Sequence, residues 1–149
     1  MTFKEKIYRH YLQLINEKTR LLQLSLHDLT ESAGNETKRT AGDKHETALA
    51  MLQIEQENIS RQLQEVLQQK KILAKLDPKL QTDVIVRGSL VYTNKGIFYI
   101  SQGMGKITID DQIIFTVSPE APLGQALLRK KTGDTLQLNQ VVYEITGFE

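Results

Sequence analysis

Two long stretches of the chain repeat apolar residues every seven positions. The first runs from Phe3 to about Ala33 without proline or glycine, and this pattern predicts a helix about 46 Å long with a coiled-coil seam. Its extra leucines at 14, 21 and 24 either pack against the C-terminal region or are exposed. The two rows of the seam are Tyr8, Ile15, Leu22 and Leu29, and Leu12, Thr19, Leu26 and Ala33.

The second stretch predicts a helix from Glu46 to about Leu76. We expect the first helix to end at Gly34-Asn35, because glycine favours a helix C-terminus. The short connection favours pairing of the two helices within one chain, as an antiparallel coiled-coil hairpin and a monomer. The alternative is a dimer in which each helix pairs with another chain. The seam rows are Leu52, Ile59, Val66 and Leu73, and Leu49, Gln56, Leu63 and Lys70.

The pattern changes to strand-like alternation after Asp77-Pro78, which ends the second helix. We therefore predict two domains, a hairpin over 1–77 with an acidic tip near 36–46, and a smaller domain over 78–149. The second domain is expected to be mostly antiparallel sheet with one short helix, so the fold class is α+β. The predicted strands are 84–86 with 89–93, 97–100, 106–109, 112–117, 135–138 and 141–146, and the predicted helix is 123–130.

Composition narrows the function classes. The chain has no cysteine, so thiolate chemistry is excluded. Its formal net charge is +1, and neither domain has the basic excess of a protein that binds nucleic acid by itself. We expect no secretory signal and no membrane span. A cytoplasmic protein is the expectation, with any nucleic acid held by a partner.

Two motifs resemble the Gre transcript-cleavage factors of bacterial RNA polymerase. One is the segment from Ser118 to Leu128 followed by 130–134, in which a Ser-Pro opens a short helix, an Ala-Leu-Leu lies within it and a Gly-Asp turn follows. The other is the hairpin tip, where Gly42-Asp43 is followed after two residues by Glu46. The resemblance covers nearly the whole chain in architecture, but only these stretches in residue detail.

That resemblance implies a C-terminal domain like FK506-binding proteins, which would dock on the rim of the polymerase secondary channel while the hairpin enters it. Asp43 and Glu46 would help to hold a catalytic Mg²⁺ supplied in the polymerase active site, and the polymerase itself would cleave backtracked RNA. The chain would be no enzyme and have no cofactor of its own. The resemblance assigns polymerase contacts to Ser118, Pro119, Leu123, Lys130 and Lys131.

Other interpretations stay open from the sequence. Asp43 and Glu46 also fit a helix N-cap with a glutamate in its first turn, and one residue can serve both purposes. The departures Lys44, His45 and Thr47 favour an alternative, a regulator that binds the channel and competes with Gre factors without stimulating cleavage. Val117 stands where the family often has an acidic residue, which puts one docking contact in doubt. The implied domain fold alone suggests a prolyl isomerase or a chaperone, although fold is weak evidence for function.

Overall fold

Two long helices open the chain. The computed structural model describes residues 1–37, 43–102 and 104–149, with the side chains of 36, 37 and 43–45 outside that description. Helix α1 spans Phe3–Thr37 and helix α2 spans Asp43–Ala74. The predicted end of α1 at Gly34-Asn35 is wrong, because a glycine inside a helix costs only about 1 kcal/mol and does not by itself stop it. Neither helix, within the described residues, is long and apolar enough to cross a membrane.

The rest of the chain forms a six-stranded sheet in the order β3-β4-β2-β1-β6-β5 and one short helix. The α+β fold class is confirmed. Residues 84–86 are not a strand, and the short helix ends three residues earlier than predicted. The elements are β1 Leu90–Thr93, β2 Gly96–Ile100, β3 Lys106–Ile109, β4 Gln112–Val117, α3 Pro122–Leu127, β5 Thr135–Leu138 and β6 Val141–Phe148.

Strand pairing combines local hairpins with one parallel pair. β3 with β4 and β5 with β6 are antiparallel hairpins, closed by Asp110-Asp111 and Asn139-Gln140, whose φ angles are all positive as in type I′ turns. β2 and β4 are parallel, with Phe98 opposite Phe115. The long β6 pairs with β5 through its first half and with β1 through its second half.

One compact unit contains Met1–Leu12 together with Ile72–Glu149. Its sheet packs α3 on one face, with a core of buried Ile85, Val91, Phe98, Ile100, Leu127 and Ile145. The start of α1 packs against the sheet through Tyr11, whose ring stacks on that of Tyr99 with centroids 5.9 Å apart. The domain boundary predicted at Asp77-Pro78 stays a prediction.

The first turns of α1 bury a stripe that the heptad pattern did not identify. Ile7 and Tyr11 are completely buried, whereas the predicted seam residues Tyr8 and Leu12 are only half-buried. These turns pack on a sheet and not on a second helix. Each buried residue therefore lies one position before the residue that the heptad pattern predicts. The stripe also places Lys4, one turn before Ile7, among the buried residues.

The second compact unit, Gln13–Lys71, is the helical hairpin. Each seam position predicted in this range is buried or half-buried, with Ile15 and Val66 the most enclosed. Thr19 is tolerated in the seam because its hydroxyl donates to the Ile15 carbonyl oxygen at 2.8 Å. Gln56 Nε2 donates to Thr30 Oγ1 across the pair at 3.4 Å, which supports pairing within the chain. Leu14, Leu21 and Leu24 are exposed.

Tyr99 offers a test of the sheet's packing on α1. Its hydroxyl is buried with no hydrogen-bond partner among the described residues, and burial of an unsatisfied hydroxyl costs about 1–3 kcal/mol. We expect Tyr99→Phe to stabilise the unit by about 1 kcal/mol. Urea unfolding followed by tyrosine near-UV circular dichroism measures this, since all five tyrosines lie in 1–12 or 72–149.

The matched variant is Tyr11→Phe. The Tyr11 hydroxyl donates to the Gly105 carbonyl oxygen at 3.2 Å, and that oxygen also accepts from the backbone N–H and the hydroxyl of Thr116. Tyr11→Phe removes one satisfied hydrogen bond, and we expect destabilisation by about 1 kcal/mol. Equal destabilisation by both variants would contradict the assignment of an unsatisfied hydroxyl at Tyr99.

Candidate functional site

The hairpin turn carries the acidic pair predicted from the sequence. Helix α2 begins at Asp43, and Glu46 lies in its first turn with an exposed side chain. The connecting residues 38–42 and the side chains of Glu36, Asp43, Lys44 and His45 lie outside the described residues. Positions three apart share one side of a helix, so the backbone brings the two acidic positions to the same side at the start of α2.

This donor set has the chemistry that a magnesium ion uses. Mg²⁺ is bound in proteins by one or two carboxylates, with waters and substrate phosphates as the remaining ligands. Glu46 is accessible for such a shared site. Two carboxylates leave most of the octahedral positions of such an ion unfilled, so an ion at 43 and 46 would take its other ligands from water or a partner.

The second predicted motif forms a compact turn between β4 and α3. The Ser118 hydroxyl accepts from the backbone N–H of Glu120 at 3.2 Å and donates to the Glu120 carboxylate. Arg87 then donates to the same carboxylate at 3.0 Å. Ser-Pro-Glu therefore folds back on itself, and the ion pair with Arg87 ties this turn to the segment before β1.

Helix α3 lies against this turn without space for a side chain at Gly124. A β-carbon at Gly124 would overlap the Ser118 carbonyl oxygen and lie 2.9 Å from its carbon. Pro122 occupies the first turn of α3, where a missing N–H costs nothing. Gly124 is thus explained by close packing inside the domain, and Pro122 by its position at the start of α3.

The residues predicted to contact a partner have different environments. Pro119 is buried, and Leu123 packs partly buried against the core. Ser118 and Lys130 are half-buried and Lys131 is exposed. The backbone of Lys130 accepts from Ile85 N–H at 2.8 Å, which leaves its ammonium for other contacts. Their role in partner binding stays a prediction, with the accessible groups concentrated at both ends of α3.

Glu120 is a polar residue that the sequence reasoning missed, although Ser-x-Glu at a helix approach is a signal for a local side-chain turn. The Ser118 hydroxyl, the Glu120 backbone N–H and Arg87 hold the pKa of its carboxyl below the ordinary value of 4.5. A carboxyl with a depressed folded-state pKa stabilises the fold above its unfolded pKa and loses that contribution as pH falls through the folded value.

We therefore expect Glu120→Gln to lower the unfolding midpoint at pH 7, with the difference from the original protein shrinking below pH about 4.5. Thermal melts from pH 7 to pH 3 measure the difference. Glu144→Gln is the control, since Glu144 is an exposed acid of the same sheet region and forms no ion pair among the described side chains. A difference that grows on acidification would contradict this assignment.

Comparisons with known proteins find likeness in structure and none in sequence. No protein-family model matches the chain, and the search of curated proteins found no relative. A solved structure described as that of the transcription factor Gfh1 is similar over 96% of this chain and 91% of that one, with 17% sequence identity and a TM-score of 0.35. The fold itself, a helical hairpin with a mixed sheet and one short helix, is α+β.

Proposed function

We propose that this protein is a cytoplasmic transcription factor that binds RNA polymerase and inserts its hairpin tip into the secondary channel. The observation that carries the proposal is the hairpin itself. Its helices pair through 13–37 and 43–71 along a seam of buried and half-buried residues, and its α1 part is about 37 Å long. The turn of this hairpin has an acidic pair at positions 43 and 46. A long, narrow element with charge at one end suits delivery into a channel.

The acidic pair supplies electrostatics in this proposal, and the polymerase supplies the catalytic site. Asp43 and Glu46 would hold an Mg²⁺ of the polymerase active site and orient a water against the backtracked RNA. The ion lowers the pKa of bound water and stabilises the developing charge. The protein would thus stimulate the intrinsic nuclease of the polymerase, without being an enzyme and without a cofactor of its own.

The sheet region would provide the docking contacts. Ser118 and Lys131 present polar groups at the two ends of α3, and Lys130 and Lys131 suit an acidic partner surface. Pro119 and Leu123 would act through the shape of the turn, because both pack into the domain. The near-zero net charge fits a protein that reaches RNA through the polymerase.

A stalled, backtracked elongation complex tests the proposal. With Mg²⁺ at neutral pH, we expect the added protein to shorten the 3′ end of the RNA and to co-migrate with the polymerase. Binding that is lost in competition with a known Gre factor would place it at the same site. If the protein neither binds polymerase nor changes the RNA, the proposal is wrong.

The second candidate is a channel-binding regulator that does not stimulate cleavage. The sequence at the tip favours it, since the basic residues Lys44 and His45 lie between the two acids in sequence, and a positive charge beside the acids would oppose a bound cation. This candidate predicts binding to polymerase without RNA shortening, together with inhibition of cleavage stimulated by a Gre factor. The same elongation-complex assay separates the two candidates.

A further inference from the structure

A cavity lies at the start of α1, within the sheet-containing unit. Its volume is about 410 Å³, and Thr2, Lys4, the segment 78–82, Phe148 and Glu149 line it. That volume is in the range of sites for small molecules. A smaller cavity of about 150 Å³ adjoins Lys4, Leu80 and Thr82, all three of which line both spaces.

Lys4 is a buried cation without a close anion. Its side chain is only 5% exposed, and its ammonium donates a single long hydrogen bond, 3.4 Å, to the Leu80 carbonyl oxygen. Within the described residues no carboxylate lies at ion-pair distance from it. Buried charges in proteins are normally paired, and an ammonium has three protons to donate, so Lys4 has unused donor capacity.

The nearby acids are engaged elsewhere. Glu149 accepts from the Tyr92 hydroxyl at 2.7 Å, and Asp77 accepts from the Lys79 backbone N–H at 2.9 Å. Burial lowers the pKa of Lys4, while these two carboxylates oppose that shift from a distance. Neither carboxylate occupies the donors of the ammonium. Glu5, a third acid lining the cavity, forms no ion pair among the described side chains.

We propose that this cavity is a binding site for a small organic anion, whose carboxylate or phosphate oxygen accepts from the Lys4 ammonium. Lys79 adds a second positive charge to the lining, and Phe148 offers a ring for the apolar part of the ligand. The acids Glu5 and Glu149 disfavour a ligand with several anionic groups, so a single anionic group on an apolar body fits best. The proposal is independent of polymerase binding.

The test uses the full chain with benzoate, phenyl phosphate and inorganic phosphate as probes, at constant ionic strength so that screening does not change. Nuclear magnetic resonance of the Lys4 ammonium nitrogen and its neighbouring carbon follows binding directly. We expect saturable shifts of the Lys4 signals with benzoate or phenyl phosphate, and a melting temperature that rises with the concentration of the same probe. The proposal would be overturned if only inorganic phosphate shifts the Lys4 signals, or if none of the three probes does.

Two variants complete the test. Lys4→Met keeps the buried stem and removes the ammonium, and we expect it to weaken the saturating probe about tenfold or more, as for loss of a charged hydrogen bond. Lys18→Met is the control, an exposed lysine of α1 outside the cavity, and should leave binding unchanged. Undiminished binding by Lys4→Met would overturn the proposal. If this variant folds poorly, the Lys4 signals of the original protein still show whether a probe binds there.

Discussion

Replacing both tip acids, Asp43→Ala with Glu46→Ala, is expected to abolish stimulated RNA cleavage while leaving polymerase binding intact. In the proposed function the pair acts only on the metal ion and water at the reacting phosphate. Removing one preorganised electrostatic group from an active site typically costs about a hundredfold in rate or more. The same proposal assigns the docking contacts to the sheet region, so the affinity for polymerase should change little. The measurement is RNA shortening in a backtracked complex, with co-migration as the binding assay.

A matched double variant controls for general loss of charge. Glu55→Ala with Glu65→Ala removes two exposed acids from α2 beyond its first turn, and should leave cleavage unchanged. Helical circular dichroism is needed alongside, since loss of an N-cap costs a helix about 1 kcal/mol. Cleavage that survives the tip variant would refute the role of Asp43 and Glu46, while cleavage lost equally in both would point to net charge.

The sequence predicts the hairpin seam but not the role of the acidic pair at its tip. The heptad rows predicted the hairpin seam because its pattern is repeated at many positions, from Ile15 to Val66, and each repeat reports the same burial. Asp43 and Glu46 are a single pair with two compatible interpretations. No local pattern separates a cap from a shared metal site, because that difference depends on what the partner brings.

Long-range packing accounts for most of what the pattern missed. Ile7 and Tyr11 are the fully buried residues, and not Tyr8 and Leu12 as the heptads predict, because α1 begins against a sheet. The sequence of a helix does not show what the helix packs on. The parallel pairing of β2 with β4 likewise joins strands that are not neighbours in sequence. Lys4 lies three and seven positions before Ile7 and Tyr11, so the helical period places it on their face, but the sequence does not show that this face is buried.

The Ser-Pro motif shows the same division between local and tertiary information. Its turn could be predicted, since serine and proline both favour turns. The reason for its glycine could not, because the constraint at Gly124 comes from the Ser118 carbonyl group six residues earlier. The motif that suggests a docking surface is therefore also needed for the packing of α3 on the Ser118 turn. Variants can separate these two roles.

Gly124→Ala is expected to destabilise the sheet-containing unit by about 3 kcal/mol, the upper part of the range for overpacked sites. The added methyl group would overlap the Ser118 carbonyl oxygen and also approach Pro119 Cα at 3.1 Å. Neither is the end of a flexible side chain, so α3 must move away from the turn. Urea unfolding followed by tyrosine near-UV circular dichroism measures the loss, because every tyrosine lies in this unit.

Gly147→Ala is the control, since a β-carbon there meets no atom within 4 Å and should change stability by less than about 1 kcal/mol. Both variants lack a charge change, so a difference between them isolates the close approach of α3 to the Ser118 turn. Similar unfolding midpoints for the two would contradict the packing assignment. If Gly124→Ala also weakens polymerase binding while Lys131→Ala does so without loss of stability, then α3 positions the docking groups and Lys131 makes the contact.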